Sequence, residues 1–331
     1  MARRAVLLLA HGTPGTVDEI PEYLRNVVSG RPMPQSVVEE IQHRYSLIGE
    51  PKGHSPLTDL TLEQGELLAR ALGRSGKDVP VYVGMRNWQP YIADVVKQMR
   101  ADGVEEAAVI CLAPQNSRTS VGLYRRAALA EAGGVRMDFL PGWADEPLLA
   151  DAFADRLRVV FARVTGEGRK PVVLFTAHSV PCRTIQSPAA SEGQPILWPT
   201  VGAKSGEGAT PDPYPVEAKH TARLVAERVK GLGNWYFAFQ SQGASGGPWI
   251  GPGVEATLDG LAAEGVKDVI LQPIGFLCDH VEILYDIDIA FKEYAAGLEM
   301  RLERPESLNG SPLLTRALTK LAREGFERLA G

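Results

Sequence analysis

Six short apolar runs, rich in valine, isoleucine and leucine, recur along the chain and do not alternate with polar residues. Runs of this length and composition are typical of parallel strands that are buried on both faces. The runs cover residues 5–10, 79–84, 106–113, 171–177, 234–240 and 267–274. Between them, segments such as 91–103 and 255–265 carry apolar residues at helical spacing. The alternation predicts an α/β fold with doubly wound parallel sheets flanked by helices.

The pattern repeats once along the chain. The stretch VLLLAHGTP (6–14) matches VVLFTAHSVP (172–181), so His11 and His178 follow equivalent predicted strands. A second match joins GVEEAAVI (103–110) to GVKDVILQ (265–272). Repetition at this distance predicts two similar halves. A ligand would bind in the cleft between them, at the carboxyl ends of the strands, where open α/β sheets hold ligands.

The sequence predicts the boundaries of the two halves and an insertion in the second. We expect a first half over 1–145, a second half over 146–305 and a C-terminal helix over 306–331. Residues 182–215 are dominated by glycine, proline, serine and threonine, and we interpret 185–210 as an inserted loop beside the cleft.

Composition narrows the classes of function. The chain has 331 residues, a net charge of −5 and no cluster of lysine and arginine, which disfavours a nucleic-acid or anionic-membrane partner. Its three cysteines are far apart, so we expect no iron–sulfur cluster and no tightly bound cofactor. No window approaches the roughly 20 apolar residues needed to span a bilayer. We therefore expect a cytoplasmic protein, and a monomer.

Two segments carry residues suited to metal or proton chemistry. His178 ends a predicted strand in TAHSVP, and Glu282 and Asp286 follow another in GFLCDHVEILYDID. On a helix that begins near Asp279, Glu282 and Asp286 share one face and His280 lies well round from Glu282. A histidine opposite a carboxylate suits a divalent first-row metal, or acts as a general base. A histidine satisfied by neighbouring backbone and a solvated acidic stripe are the structural alternatives.

The sequence argues against two other classes of enzyme, serine hydrolases and NAD-dependent enzymes. GASGG (243–247) fits the G-x-S-x-G pattern, but the glycines and proline that follow disfavour a nucleophile elbow. No dinucleotide fingerprint follows any predicted strand, which disfavours NAD chemistry.

Several arginines and hydroxyl-bearing residues of the first half together suggest contacts to an acidic ligand. They are Arg25, Arg31, Arg44, Tyr45, Ser55 and Tyr124.

The motifs taken together resemble those of the ferrochelatase family across essentially the whole chain. The matching motifs are AHGTP, YSLIGEPKGHSPL, YVGMRNWQPYIADVV, LAPQNSRTSVGLY, TAHSVP, DPYP, FQSQGASGGPWIGPGV and PIGFLCDHVEILYDID. The resemblance implies two Rossmann-like halves with a porphyrin cleft between them. It implies insertion of Fe²⁺, a substrate, into a porphyrin in haem biosynthesis, and it is nearest to the soluble bacterial type that metallates coproporphyrin III.

The resemblance also implies roles for individual residues. His178 is the metal-binding and proton-abstracting histidine, Glu282 its partner, and Asp286 a relay for protons or metal. The implied porphyrin contacts are His11, Arg31, Arg44, Tyr45, Ser55, Ser120 and Tyr124.

The sequence departs from its relatives at three positions. Relatives carry a tyrosine where this chain has His11, which is therefore a possible axial ligand of haem iron. They carry an arginine at Val28, so Arg31 or Arg25 would replace that contact, and some carry an acid at Ala290.

Three alternatives remain open at this point. A protoporphyrin IX ferrochelatase differs only in its substrate. A sirohydrochlorin chelatase shares the architecture, but we see no excess of basic residues to match its eight carboxylates. A haem or porphyrin carrier needs no His178–Glu282 pair, so the presence of both residues argues against it.

Overall fold

A computed structural model describes residues 2–74, 79–140, 142–185, 212–242 and 248–331. These residues form two four-stranded sheets in which every neighbouring pair of strands is parallel. The first sheet has the order β2-β1-β3-β4 and the second β6-β5-β7-β8. The predicted α/β architecture of two similar halves is therefore confirmed.

The strands of the first sheet are β1 (Arg4–Ala10), β2 (Val81–Met85), β3 (Glu106–Cys111) and β4 (Arg136–Phe139). Those of the second sheet are β5 (Val172–His178), β6 (Trp235–Gln240), β7 (Asp268–Pro273) and β8 (Arg301–Glu303). All six predicted strands are present, with ends within two residues of the prediction. Two of the four edge strands, β4 and β8, were not predicted, because they are short and rich in charged residues.

Helices cover both faces of the sheets. Those of the first part of the chain are α1 (Ile20–Val27), α2 (Gln35–Ser46), α3 (Leu57–Gly73), α4 (Ile92–Ala101), α5 (Val121–Ala130) and α6 (Pro147–Gly166). Those of the second part are α7 (Cys182–Ile185), α8 (Tyr214–Ala226), α9 (Val254–Ala263), α10 (Val281–Leu284), α11 (Lys292–Gly297) and α12 (Pro312–Ala330). A short 3₁₀ turn (Val17–Glu19) precedes α1, and a π-helix (Asp286–Phe291) lies between α10 and α11.

Two long helices link the halves. Helix α6 follows the first sheet along the chain but packs on α8 and β7 of the second half. Helix α12 follows the second sheet but packs on β3 and β4 of the first. Gly325 of α12 makes this approach possible, since a Cβ there would lie 2.8 Å from the Cβ of Ala108. One buried apolar cluster accordingly runs from Val6 and Leu8 of β1 to Phe175 of β5.

This core fixes the two sheets relative to each other, and so fixes the edges where their strands end. Over the residues that the structure describes, no helix has the length and apolar content of a membrane span.

Candidate functional site

A cavity of about 380 Å³ lies where the carboxyl ends of the strands of both sheets meet. Its wall includes the residues that follow β1, β3, β5 and β7, so both halves contribute to it. Of the site residues predicted from the sequence, the cavity wall contains His11, Ser120, Tyr124, His178 and Glu282.

His178 is the last residue of β5, and hydrogen bonds hold both its ring and its backbone carbonyl. Its Nδ1 donates to the carbonyl oxygen of Ser179. Its own carbonyl oxygen accepts a hydrogen bond from the Tyr214 hydroxyl at 2.9 Å. The backbone therefore satisfies one ring nitrogen only, and the other, Nε2, is left facing the cavity wall that carries Glu282.

Glu282 joins two histidines. Its Oε1 lies 3.2 Å from Nε2 of His178, and its Oε2 lies 3.3 Å from Nε2 of His280. The ring of His280 is oriented in the same way as that of His178, because its Nδ1 donates to the carbonyl of Cys278 at 2.9 Å. The carboxylate is thus held between two imidazoles, each of which has its second nitrogen fixed by a backbone carbonyl.

The placement of His280 corrects the helical-wheel prediction. The helix begins at Val281 rather than near Asp279, and His280 precedes it in an extended conformation (φ −163°, ψ −176°). Because the 100° per residue of a helix does not apply across this junction, His280 turns toward Glu282 rather than away from it. The closeness of His280 and Glu282 in the sequence D-H-V-E could have indicated their contact, but the assumed helix start near Asp279 placed them on different faces.

The electrostatics follow from this arrangement. Burial alone would lower the pKa of His178, but the Glu282 carboxylate and its hydrogen bond raise it above the ordinary histidine value. Burial would likewise raise the pKa of Glu282, but the two histidines hold it well below its usual range. The pair therefore favours an ionised carboxylate next to an imidazole whose affinity for a proton is increased.

Strand β6 positions the segment that carries Glu282. Thr176 of β5 donates to Oε1 of Gln240 at 2.6 Å, and Gln240 Nε2 donates to the carbonyl oxygen of Glu282 at 2.8 Å. Gln240 is a buried residue that the sequence reasoning did not single out.

Asp286 lies one turn beyond Glu282, at the start of the π-helix. It accepts a hydrogen bond of 2.5 Å from the Ser241 hydroxyl, and Arg44 of the first half lies 3.8 Å from it. Ser241 has a positive φ of 60°, a left-handed conformation that is uncommon outside glycine and concentrates at functional sites. Burial and the neighbouring Glu282 raise the pKa of Asp286.

His11 holds the equivalent position in the first half, after β1. Its Nε2 lies 2.9 Å from the Tyr23 hydroxyl, and the Asn87 side-chain amide lies 3.2 Å from each ring nitrogen. Burial lowers the pKa of His11 to about 4. The ring is therefore neutral near neutral pH, and its hydrogen-bonded neighbours are uncharged.

The remaining predicted porphyrin contacts fall into two groups. Tyr45 and Ser55 are each 1% exposed and lie behind the cavity wall, where Ser55 Oγ is 3.2 Å from Oγ1 of Thr13. Arg31 is exposed and donates to the Val28 carbonyl, and Arg44 pairs with Glu40 at 2.9 Å as well as lying near Asp286. None of these four predicted contacts lines the cavity.

Two predictions fall on parts of the chain for which no structure is described. The GASGG motif (243–247) lies outside the described residues, and so do residues 186–210 of the predicted insertion.

Within the described ranges, no group of three or more histidine, cysteine, aspartate and glutamate side chains is arranged to hold a metal ion. His178 and Glu282 both line the cavity, and each side chain is about a third exposed (32% and 31%). Such a pair can accept and pass on a proton and can offer two ligands to a passing metal ion.

Comparison with known proteins identifies relatives along the whole chain. A family model described as ferrochelatase matches residues 3–326. A ferrochelatase of Acidobacterium capsulatum is 61% identical, over 99% of this chain and 96% of that protein. A coproporphyrin III ferrochelatase of a Geobacillus species is 33% identical, over 96% of each chain.

Solved structures give the same architecture at much lower identity. The sirohydrochlorin chelatase SirB of Bacillus subtilis subspecies spizizenii, in complex with cobalt, aligns with a TM-score of 0.54 at 9% identity, over 98% of this chain and 96% of that one. At that identity the likeness shows the fold alone.

Proposed function

The chain belongs to the ferrochelatase family and is a metal chelatase, and we propose that the porphyrin into which it inserts Fe²⁺ is coproporphyrin III. The observation that carries the assignment of the site is the His178–Glu282 pair, 3.2 Å apart in the wall of a cavity shared by both halves. A carrier would need the cavity but not this pair.

The proposed role of His178 follows from the reaction. A free-base porphyrin holds two N–H protons in its centre, and both must leave when Fe²⁺ enters, so two protons are released for each metal ion inserted. His178 accepts protons at Nε2, since its Nδ1 is already engaged with the Ser179 carbonyl. Only the neutral imidazole can do so, and the increased proton affinity that Glu282 confers favours the transfer.

Glu282 then takes the proton onward. Its carboxylate contacts His178 through one oxygen and His280 through the other, which gives a continuous path along the wall. We propose that Asp286, one turn beyond Glu282 and hydrogen-bonded to the Ser241 hydroxyl, carries the proton further. We propose that the same carboxylates guide the hydrated metal ion inward.

The metal ion is a substrate and has to leave its protein ligands for the ring. One imidazole and one carboxylate, with water completing the coordination shell, bind a divalent ion more weakly than a closed set of four protein ligands. The pair of His178 and Glu282 suits this transient binding.

The porphyrin would be oriented from the first half of the chain. The hydroxyls of Ser120 and Tyr124 line the cavity and can donate to carboxylate oxygens. We propose that Arg31 and Arg44 contact propionates outside it. Tyr45 and Ser55 would then support the wall through neighbours such as Thr13.

Coproporphyrin III has four propionates, whereas protoporphyrin IX has two propionates and two vinyl groups. The name of the 33% identical relative supports coproporphyrin III, and the hydroxyls of Ser120 and Tyr124 offer donors to its carboxylates. The name of the 61% identical relative does not specify the porphyrin.

One experiment tests both parts of the proposal. Purified protein is assayed with coproporphyrin III, protoporphyrin IX and sirohydrochlorin, each with Fe²⁺ and with Co²⁺ under anaerobic conditions, and metal insertion is followed by absorbance. We expect the highest kcat/KM for Fe²⁺ with coproporphyrin III. A preference for protoporphyrin IX would overturn the choice of substrate, and porphyrin binding without any metal insertion would overturn the activity.

A further inference from the structure

The motif DPYP (212–215) has no role in the proposed proton transfer, yet it begins a segment that contacts both halves of the site. Tyr214, the first residue of α8, donates its hydroxyl to the carbonyl oxygen of His178 at 2.9 Å. Helix α8 is therefore attached directly to the end of β5, where the proposed proton acceptor lies.

The same segment holds the loop of the first half that follows β3. We call residues 115–120 the cavity loop, because Gln115, Ser117, Thr119 and Ser120 all line the cavity. Side chains of the second half form hydrogen bonds with three residues of this loop.

Two of these contacts are made by carboxylates to backbone N–H groups. Glu217 Oε2 accepts from the N–H of Asn116 at 2.6 Å, and Asp212 Oδ2 accepts from the N–H of Arg118 at 2.9 Å. Asp212 uses its other oxygen to accept from the N–H of Tyr214 at 3.0 Å, which fixes it at the start of α8. Hydrogen bonds with one ionised partner are roughly twice as strong as neutral ones.

The third contact is made by a residue one turn along α8. Thr221 Oγ1 accepts from Gln115 Nε2 at 3.2 Å and itself donates to the carbonyl of Ala144 at 2.8 Å. Glu217 and Thr221 are four residues apart, so they lie on one face of the helix, which is turned toward the cavity loop. We call Asp212, Glu217 and Thr221 the α8 bracket.

Steric evidence supports the contact at Asn116 independently. A Cβ added at Gly142 would lie 3.0 Å from the Cβ of Asn116 and 3.3 Å from Oε2 of Glu217. Glycine at this position leaves room for the carboxylate to approach the backbone.

We propose that the α8 bracket positions the cavity loop for porphyrin binding, so that Asp212 and Glu217 are positioning residues that set the affinity for the ring while the His178–Glu282 pair performs the chemistry. The bracket residues belong to the second half and bind the cavity loop of the first half. Tyr214, on the same helix, binds the backbone of His178. The loop that orients the ring is thereby held at a fixed distance from the group that removes its protons. This inference rests on the proposed function.

The test separates porphyrin affinity from turnover. We expect Glu217→Ala to raise the porphyrin KM about tenfold, the scale set by losing one hydrogen bond to a charged acceptor, with kcat and the KM for Fe²⁺ within about twofold of wild type. Titration of the porphyrin in the absence of iron should show the same loss of affinity. Asp212→Ala should act in the same direction.

Two variants distinguish positioning from general destabilisation. Glu217→Gln keeps an acceptor oxygen within reach of the Asn116 N–H and should restore much of the porphyrin affinity that Glu217→Ala loses. Gly142→Ala crowds the same contact and should raise the porphyrin KM without removing an acceptor. Glu227→Ala, on the exposed end of the same segment where it pairs with Arg223, is the matched control and should change neither constant.

Three results would overturn the inference: an unchanged porphyrin KM in Glu217→Ala, no rescue by glutamine, or a fall in kcat with KM constant. If the wild-type protein itself neither bound porphyrin nor inserted iron, the proposed function would fail instead. The two failures are therefore distinguishable.

Discussion

The ends of β1 and β5 are equivalent in topology and different in chemistry. Each is the second strand across a parallel sheet of the same order, each leads into an Ala-His turn, and both histidines line one cavity. His11 is hydrogen-bonded to the uncharged Tyr23 and Asn87, and burial lowers its pKa to about 4. His178 faces a carboxylate, which raises its pKa.

The difference comes from a neighbouring strand rather than from the histidines. In the second half the chain leaving β7 continues through Cys278 and His280 to Glu282, which returns to His178. In the first half the chain leaving β3 enters the cavity loop, whose polar side chains are amides and hydroxyls apart from Arg118. The same backbone unit thus provides two positions for a histidine, and Glu282 pairs with the one at the end of β5.

Removing His178 should have the largest effect. We expect His178→Ala to lower iron insertion at least about a hundredfold, the scale of a general-base contribution, because the change removes the proposed proton acceptor that Glu282 contacts in the cavity wall. The thermal unfolding midpoint should change little, since the imidazole is about a third exposed (32%) and lies outside the apolar core. His220→Ala, a surface change on α8, is the control, and substantial residual turnover in His178→Ala would contradict the assignment.

Removing the charge of Glu282 should make His178 resemble His11. We expect Glu282→Gln to lower kcat at least about tenfold. The neutral imidazole is the proton acceptor, so the rate should rise with pH through the pKa of His178. Glu282 raises that pKa, so its loss should move the rising limb of the pH–rate profile to lower pH. A limb that stayed in place or moved upward would show that another group controls it.

The features that could be predicted from the sequence are those that depend on residues close together along the chain. The strands were predictable because their apolar runs are local, and the Ala-His repeat was enough to place each histidine at the carboxyl end of a strand in its own half. The edge strands β4 and β8 carry too few apolar residues to stand out. His280 was missed because its contact depends on where α10 begins, and the Asp212–Arg118 contact joins segments distant in sequence, which no local pattern reports.

The opposite change gives His11 a carboxylate partner. Asn87 Nδ2 lies 3.2 Å from the imidazole nitrogens, so Asn87→Asp would place an anionic oxygen within hydrogen-bonding range. A negative charge at that distance favours the protonated ring, and we expect the pKa of His11 to rise by about one unit or more from its depressed value. NMR titration of the imidazole measures this directly. An unshifted His11 would mean that burial, rather than the missing carboxylate, accounts for the contrast between the halves.

Removing His11 should have the smallest effect on turnover and a clear effect on the product. With a pKa of about 4 the ring is neutral near neutral pH, and a neutral imidazole nitrogen is a stronger ligand for haem iron than a protonated phenol. We therefore expect His11→Ala to leave the rate of iron insertion within about twofold of wild type while changing the axial ligation seen in the absorbance and resonance Raman spectra of the haem-bound protein. His11→Tyr is the matched variant, since it replaces the imidazole with a phenol and should give a third, distinct spectrum. Identical spectra for all three proteins would place the ring out of reach of His11, and the first half would then contribute only shape and hydrogen bonds to the cavity.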